Sequence, residues 1–261
     1  SCAMTPASSS RSSRRMRPAV TATAAADFVR EHLYDAGSRR LYHRWRDGQR
    51  AVGGIADDYA FLVQGLIDLY ETTFESRWLH WAQELTETLE RLFAAPEGGY
   101  FFTAEGHDKE LILRLMDDSD NVEPCAGSVA ALNLLRLAQI TGKGELRRRA
   151  EKTLERFGSR LSERPLSLAQ MLCAVDFALS KPVQAVFAGE VGSPAGQALL
   201  QELRSRFIPV KAVLRAEDSG LKQFTAIGGK PTAYLCVDLA CGLPVTEAPA
   251  LGALLDERLK R

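Results

Sequence analysis

Histidine and cysteine are scarce in this chain, and neither sign of charge is in excess. Of 261 residues, four are His and five are Cys. Cys2, Cys125, Cys173, Cys236 and Cys241 are too few and too scattered for a disulfide scaffold. Their odd number reads as a reduced, cytoplasmic protein. So few histidines do not make a His-rich metal site, and no metal or other cofactor is expected. Lys and Arg number 33, and so do Asp and Glu. That balance gives neither nucleic acid nor an anionic membrane a reason to bind. No apolar run approaches the roughly 20 residues of a bilayer-spanning helix. Dinucleotide, phosphate-loop and Gly-x-Ser-x-Gly patterns are missing too, and Gly142-Lys143-Gly144 does not fit a phosphate loop. What is present is ordinary for a globular protein: 46% hydrophobic and 25% charged residues, which excludes a disordered chain or a coiled-coil rod.

Residues 1–20 are rich in Ser and Arg and lack any acid, so they read as a disordered or non-native tail. From Thr21 the pattern is helical. A first helix is expected near 21–34, then a loop or short hairpin over 41–54. Asp57-Asp58 opens a helix to about Thr73 that is apolar on most faces and therefore buried. The helix over 76–93 differs. Trp78, Trp81, Ala82, Leu85, Leu89, Leu92 and Phe93 form one stripe with charges between them, as in an amphipathic outer helix. The same rhythm returns: 124–140 is apolar nearly all round, and 144–161 carries a single stripe. Thr-Leu-Glu-Arg occurs at 88–91 and at 153–156, an offset of 65 residues. Repeated hairpins of an inner and an outer helix stack into a toroid or solenoid. A further helix is expected over 165–180.

Two segments break the helical rhythm. Between the hairpins, Gly98–Thr103 and Leu111–Met116 read as short strands around a polar tip. Beyond 181, strands at 183–188, 211–215 and 234–237 with a helix at 194–207 make a small α/β module over about 182–245, followed by a last helix at 249–260. The expected organisation is a tail (1–20), helical hairpins (21–181) and an α/β module with terminal helix (182–261).

The candidate site is acidic. Asp117, Asp118, Asp120 and Glu123, with Asn121 among them and Arg114 nearby, lie just before a buried helix. Paired carboxylates suit acid/base work on a sugar, and clustered ones suit a hard cation. Acids before a helix also satisfy its free N–H groups and its dipole. Asp57-Asp58-Tyr59 opens the preceding buried helix, and the 65-residue offset sets Asp58 on Glu123. If these helices are equivalent, both acids face one mouth. The alternative is N-capping by Asp57, with Asp58 in the first turn. Tyr59, Tyr100, Phe101, Phe102 and Trp45 could stack on sugar rings or fill a core. His43 shares an early loop with Trp45. Cys236 and Cys241 read first as buried thiols beside a strand, with a regulatory disulfide as the alternative.

Three stretches carry a family resemblance: Asp57-Asp58-Tyr59-Ala60-Phe61-Leu62; Asp117–Pro124 with Ser128–Leu137; and Pro231–Tyr234 through Cys236 and Cys241. Over about residues 22–258 they resemble the C-terminal part of the thioredoxin-domain-containing family that includes spermatogenesis-associated protein 20. The resemblance implies an N-terminal thioredoxin-like domain followed by an α/α toroid of the six-hairpin glycosidase type, similar to sugar 2-epimerases and glycoside hydrolases. This sequence holds no Cys-x-x-Cys motif, and its roughly six barrel helices are about half of a full toroid. It reads Cys125-Ala126-Gly127-Ser128 where the family has Ser-Gly-Asn-Ser, and Met116 where the family has a basic residue.

The expectation is therefore a mainly α chain, an incomplete α/α toroid with a small α/β module. Its leading function is a carbohydrate-active-like domain, epimerase-like or glycoside-hydrolase-like if catalytic. Asp58, Asp118 and Glu123 would be the acid/base groups. Tyr59, Arg114, Asp117, Asp120 and Asn121 would bind substrate. The rival is a non-catalytic scaffold or interaction domain serving a thioredoxin-like domain or partner, with self-association through exposed inner helices.

Overall fold

A computed structural model of the chain describes residues 10–106, 111–220, 222–237 and 240–259. It is mainly helical with two small sheets, and it divides into two compact units. One unit takes the chain to Phe93 together with Phe102–Arg114. The other takes Ala94–Phe101 and the chain from Leu115 onward. The composition boundary at 181/182 falls inside the second unit, where Gln184 Nε2 of the α/β part donates to the Gln139 carbonyl at 2.7 Å. Among the described residues no helix is long and apolar enough to cross a membrane.

The first unit opens with α1 (Ser10–His32). Only its second half was expected. The Arg, Ala and Met of its first half are good helix formers, so the helix runs back through the Ser-rich stretch. Residues 1–9 of the expected tail lie outside the described residues. Strands β1 (Tyr34–Asp35), β2 (Arg40–Arg46) and β3 (Gln49–Gly53) form an antiparallel sheet in that order. Asp47 and Gly48 make its hairpin turn, both left-handed with φ of 52° and 76°, as a type I′ turn requires.

Helices α2 (Ala56–Thr73) and α3 (Ser76–Phe93) pack as a hairpin. Along α2 only Gly65, Asp68 and Thr72 are exposed. Helix α3 buries Trp78, Trp81, Leu85 and Phe93 on one face and turns Arg77, His80, Glu87 and Arg91 to solvent.

The second unit repeats this arrangement. Helix α4 (Ala126–Thr141) has no exposed residue, and α5 (Gly144–Arg156) packs on it with a single buried stripe. Thr88 of α3 and Thr153 of α5 are both 2% exposed, and each donates its hydroxyl to the carbonyl four residues back. The sequence repeat is thus a structural one at this position. The single helix expected over 144–161 breaks at Phe157, whose ring packs with Leu168 and Met171, and resumes as α6 (Gly158–Glu163). A 3₁₀ turn at Pro165–Leu168 leads into α7 (Ala169–Leu179), which packs on α4.

Strands β4 (Val183–Ala188) and β5 (Lys211–Arg215) are parallel and joined through α8 (Pro194–Arg204). Strands β6 (Thr232–Val237) and β7 (Ala240–Cys241) complete a sheet ordered β5-β4-β6-β7. Helix α9 (Ala248–Leu259) packs on α8, where Arg206 holds both Asp256 and Glu202.

The two strands expected between the hairpins do not form. Gly98 and Gly99 have φ of 95° and 77°, outside the extended region, and only an isolated bridge joins Ala94 to Tyr100. Among the described residues the Leu111–Met116 segment has no partner strand. Of the polar tip expected over 103–109, residues 107–109 lie outside the described residues.

Candidate functional site

Each expected site residue has a definite place, and most serve the fold. Asp58 is the third residue of α2. Its Oδ2 accepts the Ile55 N–H at 2.9 Å, the reciprocal half of a capping box, since Ile55 has no side-chain acceptor of its own. Both carboxylate oxygens also lie 2.9–3.0 Å from His43 Nδ1. A carboxylate only accepts, so Nδ1 carries the proton there. Strand β2 thereby pins its His43 to the N-terminus of α2. Asp57 lies beside it in the first turn.

Tyr59 is 1% exposed. Its hydroxyl accepts the Leu41 N–H at 2.8 Å and its ring meets Phe93 at 5.2 Å. Burial pushes its phenol above the ordinary value. The ring is enclosed, with no face open to solvent.

Arg114 has a local task too. Its guanidinium donates to the Thr103 carbonyl at 2.6 and 3.0 Å and to the Leu92 carbonyl at 2.7 Å. It satisfies a carbonyl in the last turn of α3 and anchors the connection to it. Desolvation lowers its pKa. It belongs to the first unit, whereas the 117–123 acids belong to the second.

Asp120 is the most engaged of those acids. Oδ1 accepts the Cys125 N–H at 3.0 Å, at the start of α4. Oδ2 accepts the Gln170 N–H at 2.8 Å, in the first turn of α7. Its own N–H donates to the Ser167 carbonyl at 2.7 Å. One carboxylate thus caps two helices at once, where both dipoles favour negative charge. Asp117, Asp118, Asn121 and Glu123 are exposed. Asp118 pairs with Arg160 of α6, a partner that no spacing in the sequence points to. Glu123 precedes α4 and its Cys125 cap, whereas Asp58 lies inside α2. The 65-residue offset therefore does not set the two acids at equivalent helix positions.

The cysteines divide. Cys125 is buried and its Sγ lies 3.3 Å from Ser128 Oγ; burial pushes the thiol up. Cys173 is free and exposed. Cys236 and Cys241 are joined, so the alternative first set second for this pair, a disulfide, is the one observed.

A different set of residues forms a concave surface. Glu31, His32, Trp45, Gly48, Gln49 and Arg50 line a shallow groove of about 540 Å³ on the first unit. Trp45 is half-buried with His32 against it at 4.6 Å. Arg50 is steadied by the Tyr34 carbonyl at 3.0 Å.

These features define a mainly helical protein with a small α/β part, in which Asp58 and Asp120 hold helix starts and Asp118 pairs with Arg160. The chain is homologous to spermatogenesis-associated protein 20. It is 34% identical to the human protein over 253 residues, 90% of this chain and 32% of that protein. It is 33% identical to the mouse protein over 255 residues, again 90% of this chain and 32% of the relative. An uncharacterised protein of Caenorhabditis elegans is 30% identical over 246 residues, 89% of this chain and 33% of the relative. The chain therefore spans about a third of the length of these relatives. No family model matches it.

Proposed function

We propose that this chain is a non-catalytic scaffold or interaction domain, built on hairpins of an incomplete α/α toroid and normally attached to a thioredoxin-like domain. The carrying observation is the engagement of the acids: Asp58 and Asp120 hold helix starts, and Asp118 pairs with Arg160. The α2/α3 and α4/α5 hairpins, each with one buried and one amphipathic member, support the toroid. Inner helices α2 and α4 are largely buried. Exposed apolar side chains lie instead at Leu111, Ile112 and Leu113 in the first unit, where an interaction domain would make contact.

A second copy of the chain is the first partner to test, by size-exclusion chromatography at low and high concentration. The wild-type chain and the Asp118→Asn and Glu123→Gln variants are expected to shift together to a larger species at high concentration. The double variant Ile112→Ser/Leu113→Ser is expected to stay monomeric. A wild-type monomer at both concentrations removes self-association from the proposal, and association lost in the acid variants alone overturns it.

The Trp45 groove favours a second reading, binding of a sugar on the first unit. An indole face flanked by a carboxylate and a guanidinium is suited to a ring bearing hydroxyl groups. In that case the carbohydrate sits at the β2–β3 hairpin and not at the inner-helix starts.

A further inference from the structure

We propose that Cys236 and Cys241 form a thiol-exchange site, opened by a dithiol, that fastens or frees the edge strand β7. The two residues oppose each other directly in the β6–β7 register. Cys236 is 2% exposed, while Cys241 lies in the open on a two-residue strand at the edge of the sheet. The bond spans a sequence separation of 5 residues. So short a loop gains least from cross-linking, because the unfolded chain loses little freedom by it. Nor does the sheet depend on the bond, since β6 pairs with β4 along its whole length, from Thr232 to Val237. A bond that adds little to the fold, with one sulfur on an accessible residue, suits exchange better than stapling.

The step balances as ordinary exchange. A thiolate of the dithiol attacks Sγ of Cys241, the Cys236–Cys241 bond breaks, and the Cys236 sulfur leaves as a thiolate that takes up a proton. The second thiol of the reductant then attacks the mixed disulfide. Cys241 is released as a thiol, and the reductant leaves as a disulfide, two electrons poorer. Freed of the bond, β7 keeps its short ladder to β6 and the Gly242 N–H bond to the Leu235 carbonyl, at 2.9 Å.

The test treats the air-oxidised full chain with dithiothreitol under native conditions, alkylates it with iodoacetamide, and maps Cys236 and Cys241 by peptide mass. The expected result is that both become alkylated while the circular dichroism stays native and the Gly242 amide loses protection from exchange. In a second arm, oxidised glutathione caps Cys241 of Cys236→Ser about tenfold faster than Cys236 of Cys241→Ser, following their difference in access. Three outcomes overturn the proposal: a pair that resists dithiothreitol until urea unfolds the chain, a pair already alkylated before reductant is added, or equal capping of the two sulfurs. The wild-type arm stands by itself if either serine variant fails to fold.

Discussion

Asp120→Ala is expected to lose about 2–4 kcal/mol of stability, measured by urea unfolding under circular dichroism. Hydrogen bonds to a charged group contribute about 1.5–3 kcal/mol each, and Asp120 makes two, one to the Cys125 amide and one to the Gln170 amide. The half-buried site brings the sum below the simple total. Alanine leaves two helix starts without an acceptor at once. Asp120→Asn is expected to lose about half as much, because its amide keeps one acceptor oxygen and turns an N–H toward the other helix. Glu123→Gln, three residues away and exposed, is expected to change stability by less than about 0.5 kcal/mol. Equal, small losses in all three variants would show that Asp120 is not a clip.

Gly98→Ala is expected to cost about 2–6 kcal/mol, from two independent causes. The residue has φ of 95°, a conformation that strains an L side chain by about 1–3 kcal/mol. A Cβ there would also stand 2.6 Å from the Lys152 carbonyl oxygen of α5. That neighbour is helix backbone and cannot swing aside, so the connection must lift from α5, at a further cost of about 1–3 kcal/mol. The next residue shares the consequence, since the Gly99 N–H donates to Thr153 Oγ1 at 3.2 Å. Gly48→Ala is the control. It has φ of 76° with nothing within 4 Å of a Cβ, so only the backbone term remains. If both variants lose the same stability, the close approach to α5 is not the cause.

Where one physical signal dominated, the sequence was legible. The apolar stripe of α3 set its ends at Ser76 and Phe93, and the β-branched and apolar run Val183–Ala188 set β4. Over 41–54 the sequence left a loop or a short hairpin open, and the structure has the hairpin, turned at Asp47-Gly48 with positive φ at both residues. Leu111–Met116 failed as a strand for a reason that no local pattern holds: a strand needs a partner, and the two glycines that should have begun one adopt positive φ. The candidate site was legible in residue type but not in role. An acid that caps a helix and an acid that serves a ligand look alike in sequence. Asp120 is separated from the second case by the amides of Cys125 and of Gln170, the latter 50 residues away. Tyr59 likewise reads as a possible stacking face until the Leu41 amide is found on its hydroxyl. The disulfide was open for the same reason, because register, not spacing, brings Cys241 opposite Cys236.

The structural role of the acids is tested most directly by thermal melts of the chain with a panel of mono- and disaccharides at millimolar concentration, repeated on Asp118→Asn, Glu123→Gln and Trp45→Ala. A ligand at a hundred times its dissociation constant stabilises by about 2.7 kcal/mol, a shift of several degrees for a chain of this size. The expected result is a cooperative melt that no sugar moves through these acids. A shift removed by Trp45→Ala alone assigns a sugar to the β2–β3 groove and leaves the acids in their structural role. A sugar that raises the midpoint of the wild-type chain but not that of Asp118→Asn or Glu123→Gln contradicts the scaffold reading and restores a carbohydrate site built on these carboxylates.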